Sequence, residues 1–282
     1  MEFTAEVGEQ RYAALVRAAA ESVVGLDFDG TLAPIVEDPS EAHIHPDAGR
    51  VLVDLAQQVL AVAVVTGRPA RQALDLGGLE WVGNAIGDAG KELYLFGQYG
   101  NERWASTNRR VISPRPPPGL ASFTAEVPRV LRRLGAEDAH IEEKGLAVAV
   151  HTRRLGDPEG AFGLLLPALE ELAARYDLVV EPGKHVIEVR SPGMHKGIVV
   201  ERLVSELHAG GFMFVGDDLG DLEAFEAVAA LAERGLPTLL VCSASDEESA
   251  LVDRSDVVVH GPDGVLDLLR RLIADARQAD SP

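Results

Sequence analysis

Five short apolar runs, rich in β-branched residues and separated by helical stretches, constrain this chain more than any other feature. They are SVVGLDF (22–28), LAVAVVTG (60–67), GFMFVGDD (211–218), PTLLVCSA (237–244) and DVVVHGP (256–262). Helical patterning is predicted over 9–20, 47–58, 69–76, 220–233 and 263–277. Near-continuous apolar strands alternating with helices describe an α/β fold, a Rossmann-like parallel sheet covered on both faces. Four of the runs end in polar residues: Asp27 and Asp29, Thr66 and Arg68, Asp217 and Asp218, and Ser243. Open α/β sheets bind ligands at the carboxyl ends of their strands, so one cleft is expected to collect all four groups.

The middle of the chain breaks this rhythm. STNRRVISPRPPPGLASF (106–123) is rich in Pro, Arg and Ser. A helix near 124–134, strand-like pieces at 139–145 and 146–154, and a helix near 158–175 follow it. LVVEPGKHVIEVRS (178–191) then reads as a hairpin turning at Pro-Gly-Lys. Adjacent strands with helices of their own fit a small α+β domain. It is expected as an insert over 104–191, with 1–103 and 192–282 forming the core.

A net charge of −19 with no basic cluster argues against nucleic acid or an anionic membrane as partner. The single cysteine, Cys242, excludes an internal disulfide and a cysteine-built zinc site, and its apolar surroundings place it in the core. The N-terminus lacks the basic start and apolar run of a signal peptide, and no window reaches the roughly 20 apolar residues of a membrane span. A cytoplasmic location is expected. Of 26 basic residues only four are lysines: Lys91, Lys144, Lys184 and Lys196. An ammonium does what a guanidinium does not, so each lysine is a candidate for a specific task.

Four local patterns carry chemistry. In Asp27-Phe28-Asp29-Gly30-Thr31, two carboxylates at a strand end can serve as nucleophile and general acid/base, although a simple carboxylate turn has the same appearance. In VVTGR (64–68), Thr66 and Arg68 can hold a phosphate oxygen and a substrate hydroxyl, but taken alone the pattern is weak and a helix N-cap is the stronger reading of Thr66. Lys196 in SPGMHKG opens a helix, where the macrodipole disfavours a cation unless an anion lies beside it. FVGDDLGDLEAF crowds Asp217, Asp218 and Asp221 at a strand end, and their repulsion asks for a cation such as Mg²⁺.

In this order, D-x-D-G-T, a strand-end Thr, Lys and G-D-D-x-x-D resemble the haloacid dehalogenase (HAD) superfamily of phosphotransferases, with the insert resembling its cap. Within it, LDFDGTLAPI, GQYGNE (97–102), EEKGLAVAVHTR (142–153) and EPGKHVIEVRSPGMHKG (181–197) resemble the trehalose-6-phosphate phosphatases over about 20–275. Departures are Thr66 where Ser is frequent, Tyr99 where His is common, and Gly220 in place of Thr. The resemblance implies that Asp27 is the nucleophile and a Mg²⁺ ligand. Asp29 would be the general acid/base and would reach the metal through its carbonyl. Asp217 would complete the metal shell, with Asp218 and Asp221 behind it, and Thr66 and Lys196 would hold the phosphoryl oxygens. Gly30, Thr31, Gly67, Arg68 and Gln98 would contact the substrate. Glu142, Lys144, His151, Arg153, Lys184 and Glu188 would bind sugar hydroxyls.

The implied reaction is Mg²⁺-dependent hydrolysis of trehalose 6-phosphate through an aspartyl-phosphate, with a functional link to a trehalose-phosphate synthase. Oligomeric state stays open. Sucrose 6-phosphate, glucosylglycerate phosphate and aminocyclitol phosphates are alternative substrates, and a non-catalytic partner of the synthase is the alternative of another class.

Overall fold

The computed structural model describes residues 2–36, 38–183, 185–244 and 251–279. They fall into two compact units, one of 1–113 with 195–282, the other of 114–194. The expected insert began at 104. Trp104 and Ala105 instead complete a strand of the first unit, and Arg103 exchanges backbone hydrogen bonds with Ile112 at 2.9 and 2.8 Å.

The first unit opens with β1 (Glu2–Phe3), α1 (Glu6–Arg17) and β2 (Ser22–Leu26), then α2 (Ala48–Ala56), β3 (Ala61–Val65), α3 (Ala70–Gly77), α4 (Leu79–Asp88), β4 (Leu93–Gly97) and β5 (Glu102–Ala105). The second unit holds α5 (Leu120–Arg133), β6 (His140–Glu143), β7 (Ala147–His151), α6 (Pro158–Ala174), β8 (Val179–Gly183) and β9 (Val186–Arg190). The chain returns to the first unit with α7 (Gly197–Leu207), β10 (Gly211–Gly216), α8 (Leu222–Glu233), β11 (Thr238–Ala244), β12 (Val257–His260) and α9 (Gly261–Ala279).

Among the described residues the first unit's sheet runs β1-β12-β11-β10-β2-β3-β4-β5. The strands from β12 through β4 are parallel, as the βα rhythm predicts. The two edges are not: β1 pairs antiparallel with β12, and β5 with β4. The link from β4 to β5 is a tight turn over 98–101, too short for the crossover that parallel pairing needs. Alternate strand residues feed two cores. Val24, Leu26, Val62, Val64, Met213 and Val215 pack with residues of α1–α4 and α9. Val23, Ala63, Val65, Phe212, Phe214 and Cys242 pack with α7 and α8.

Strand order reverses direction of travel at β2 and β10, which lie side by side with Leu26 in register with Val215. Their carboxyl ends therefore flank a topological switch point, the place where such sheets bind ligands.

The second unit is an antiparallel sheet, β6-β7-β9-β8. Val148, Val150, Ile187 and Val189 bury one face together with apolar residues of α5 and α6. Period-two alternation turns the neighbouring residues to the other face. The expected β8–β9 hairpin is present, closed by the pair Gly183–Val186.

Candidate active site

Asp27 follows directly on β2, and its backbone N–H donates to Val215 O at 2.9 Å. Parallel register thus sets the end of β2 beside the end of β10, where Asp217 follows. Lys196, immediately before α7, reaches the same place. Its Nζ lies 2.7 Å from Asp27 Oδ1 and 2.7 Å from Asp221 Oδ1, with 3% of the side chain exposed. The anion that a lysine at a helix start requires is therefore a pair of carboxylates. Asp221 is fully buried, and its Oδ2 accepts the Asp217 N–H at 3.1 Å.

Gly30 explains how Asp217 is approached so closely. Its φ is +68°, and a Cβ there would lie 2.0 Å from Asp217 Oδ2. Only glycine combines that backbone with that proximity. Its carbonyl accepts from Ser243 Oγ at 2.7 Å, tying the end of β11 to the same loop. Thr31 beside it is buried, and its Oγ1 has no hydrogen-bond partner among the described residues.

One oxygen each from Asp27, Asp217 and Asp221 lies within 4.8 Å of the others. Burial, then repulsion from Asp221, pushes the Asp27 carboxyl well above the usual range against the pull of Lys196. Burial followed by Asp27, Asp218 and Asp221 pushes Asp217 up to about 10, and Asp221 rises to about 6, chiefly through burial. Burial alone would lower the Lys196 ammonium, but Asp221, Asp27 and Asp218 outweigh it and hold it well above the lysine range. One ammonium faces three carboxyl groups, Asp27 and Asp221 buried and Asp217 half-buried, more than it can neutralise, so the carboxyls hold protons that a cation on these hard oxygens would displace. That donor set fits a small divalent cation such as Mg²⁺.

The other carboxylates expected here behave differently. The Asp29 side chain faces Arg68, whose Nε and Nη2 donate to its two oxygens at 2.7 and 2.6 Å. Arg68 Nη1 donates to Pro39 O at 2.8 Å. The guanidinium thus works as a clamp on Asp29 and the Pro39 loop, whereas a substrate contact was expected. Asp218 is exposed and caps the turn ahead of α8, its Oδ1 accepting the Gly220 N–H at 2.9 Å. Asp221, expected behind the cluster, is a member of it.

Thr66 is buried at the end of β3, and its Oγ1 accepts the Arg68 N–H at 3.1 Å. It shapes its own loop and does not cap α3, whose N-cap is Pro69. Gly67 follows, with the Tyr99 ring in the space where a side chain would stand. Gln98 is fully buried at the start of the turn between β4 and β5.

In the second unit, register lines up Glu142, Ala149, Glu188 and Glu181 across one sheet face. Lys144 Nζ pairs with Glu188 Oε2 at 2.6 Å, and His151 Nε2 with Glu142 Oε2 at 2.9 Å. The His151 hydrogen bond holds the Glu142 carboxyl below its ordinary value, partly offset by burial. Glu188 is buried, and its Oε1 has no partner among the described residues. Arg153 is exposed just beyond β7, and Lys184 lies outside the described residues. Sequence reasoning missed the Arg190–Glu181 pair at 3.2 Å and His140, whose ring lies 5.6 Å from that of His151. Strand alternation was the available signal, since Arg190 and Glu181 share the Glu188 face.

A parallel sheet with buried carboxylates and a lysine at its switch point, and a separate α+β insert between its halves, define a HAD-like hydrolase fold. The chain belongs to the trehalose-phosphatase family, whose model matches residues 25–257. It is 30% identical over 232 residues, 79% of this chain and 55% of the relative, to the trehalose-phosphate phosphatase of Mycolicibacterium paratuberculosis. It is 33% identical over 216 residues to the uncharacterized glycosyl hydrolase Rv2006 of Mycobacterium tuberculosis, covering 73% of this chain but only 15% of that protein. The chain therefore spans little more than half, or much less, of these relatives. The C-terminal domain of the C. albicans trehalose-6-phosphate phosphatase shares the fold, with a TM-score of 0.75 at 20% identity, over 97% of this chain and 98% of that one. No helix among the described residues is long and apolar enough to cross a membrane.

Proposed function

We propose that the chain is a Mg²⁺-dependent phosphatase that hydrolyses trehalose 6-phosphate to trehalose and phosphate. The observation that carries this reading is the buried Lys196 ammonium shared between Asp27 and Asp221 at the switch point, with Asp217 completing the cluster. A carboxylate held against an ammonium beside further acidic oxygens is suited to become transiently phosphorylated.

In the first step an Asp27 oxygen attacks phosphorus, the bond from phosphorus to the sugar oxygen breaks, and Asp29 gives that oxygen a proton. In the second, Asp29 takes a proton from water as the water oxygen attacks the aspartyl-phosphate, releasing phosphate and restoring Asp27. Lys196 and the Thr66 loop offset charge on the transferring oxygens, the dominant contribution in phosphoryl transfer. Asp27, Asp217, Asp221 and the Asp29 carbonyl would hold Mg²⁺, which when bound supplies further neutralisation of that charge. Arg68 keeps the Asp29 carboxylate aimed by two hydrogen bonds. In the second unit, Glu142, Lys144, His151, Arg153, Lys184 and Glu188 would bind the sugar hydroxyls, and a trehalose-phosphate synthase would supply the substrate.

Phosphate release from a panel of sugar phosphates tests the reading. Trehalose 6-phosphate is expected to be cleaved fastest, ahead of sucrose 6-phosphate, glucosylglycerate phosphate and aminocyclitol phosphates. Chelation is expected to stop turnover, and Asp27→Asn to reduce kcat by about 10³ or more. Normal turnover by Asp27→Asn would refute the mechanism.

A further inference from the structure

The turn Gly97-Gln98-Tyr99-Gly100 is built at a conformational cost that its connecting role does not explain. Gln98, Tyr99 and Gly100 have φ of 49°, 57° and 98°, so two consecutive non-glycine residues occupy the left-handed region. Such backbone persists where surrounding contacts over-determine it, and it gathers at functional sites. The contacts here lead to the catalytic loops. Tyr99 N–H donates to Thr66 O at 3.0 Å, and Gln98 N–H to Arg68 O at 2.9 Å. A Cβ on Gly100 would meet Val199 Cγ2 at 2.5 Å, one turn into the helix that Lys196 opens.

The strained backbone delivers the Tyr99 ring. Its Cζ and Oη both lie 2.8 Å from where a Cβ on Gly67 would stand, and its Cε1 lies 3.9 Å from the same point on Gly220. The phenol end of the ring therefore sits between the loop after Thr66 and the loop after Asp218, half-buried. Gly67 leaves room for it, whereas a Cβ at Gly220 would only touch the ring edge. A phenol can donate and accept one hydrogen bond while its ring stays fixed.

We propose that Tyr99 is a specificity residue, its hydroxyl hydrogen-bonding the polyol portion of the phosphate ester next to the phosphoryl group. The inference rests on the phosphatase reading above and deepens it: the preferred leaving group carries hydroxyls close to the ester oxygen. A site that hydrogen-bonds a substrate hydroxyl discriminates against esters that lack one.

Tyr99→Phe keeps the ring against Gly67 and removes only the hydroxyl. The measurement is kcat/KM for the sugar 6-phosphate that the wild type cleaves fastest, divided by kcat/KM for p-nitrophenyl phosphate. The ratio is expected to fall about five- to tenfold in Tyr99→Phe, carried by KM for the sugar ester. An unchanged ratio, with both esters affected equally or not at all, would make Tyr99 a structural element and overturn the inference while leaving the phosphatase reading intact. A wild type that cleaves neither ester would remove both.

Discussion

Arg68 and Asp29 form a two-pronged ion pair across 39 residues of sequence, Nε to Oδ2 at 2.7 Å and Nη2 to Oδ1 at 2.6 Å. The Arg68 guanidinium also lies 5.6 Å above the centre of the Phe28 ring. Asp29 is therefore already oriented for the acid/base task proposed for it, and its side chain is turned to Arg68 rather than into the cluster that Asp27 joins. A lysine at position 68 keeps the charge but not the planar fork. Arg68→Lys is expected to lower kcat about 10- to 100-fold with KM little changed and the far-UV circular dichroism intact. A kcat equal to the wild type would show that Asp29 needs no such guide.

Gly30→Ala tests the approach of the first loop to Asp217. The added methyl would lie 2.0 Å from Oδ2 and 2.3 Å from Cγ, at a φ of +68°. The Asp217 carboxyl must leave its present position to admit it. The expected result is a chain that still folds, destabilised by about 1–3 kcal/mol. Its Mg²⁺ requirement should be raised about tenfold or more in a titration of activity against metal. An unaltered Mg²⁺ titration would remove Asp217 from the cation site.

How much of this was legible in the sequence depends on how local the signal was. Asp27 and Asp217 could be read because each ends an apolar strand, and Lys196 because a lysine at a helix start is electrostatically out of place. The partners of these groups were less legible. Nothing near Arg68 in sequence says that its fork closes on Asp29, since that pairing depends on the register of β2 with β3. Lys91, singled out only because lysines are few in this chain, is half-buried and donates to Val59 O at 2.8 Å, closing a loop end. The segment from Leu79 to Ala105 went unassigned, although it holds α4, β4 and β5. Glycines at 83, 87, 90, 97 and 100 interrupt its apolar periodicity, and the packing of Gly83 on Trp104 and Ser106 restores in space what the pattern hides.

The cluster should also couple metal binding to pH. Burial and the neighbouring carboxylates push Asp217 up to about 10, against roughly 3.9 for an unfolded aspartate. Between those values the folded chain retains a proton that the unfolded chain has released, so metal-free stability falls as pH rises. Lys196, raised in the folded state, contributes fully below about 10.4 and adds no slope in that window. A divalent cation replaces the retained proton. Thermal unfolding with and without Mg²⁺ is therefore expected to show a larger gain in Tm at pH 8 than at pH 5. An equal or larger gain at pH 5 would contradict the charge balance described for Asp27, Asp217 and Asp221.

Lys144 and Glu188 offer a test confined to the second unit. Their side chains are 16% and 6% exposed, and Nζ to Oε2 is 2.6 Å. Removing one partner of such a pair strands the other charge away from water, at a cost of about 3–5 kcal/mol when burial is complete and less at this partial exposure. Lys144→Met alone is thus expected to lower the denaturant midpoint clearly, and Lys144→Met with Glu188→Leu to recover much of the loss. Turnover should not follow the same course. If the pair binds sugar hydroxyls, KM for the sugar phosphate rises about tenfold in either single variant and stays high in the double, because the repacked site has lost both polar groups. A double variant that regains stability and normal KM together would leave the pair with a structural role alone.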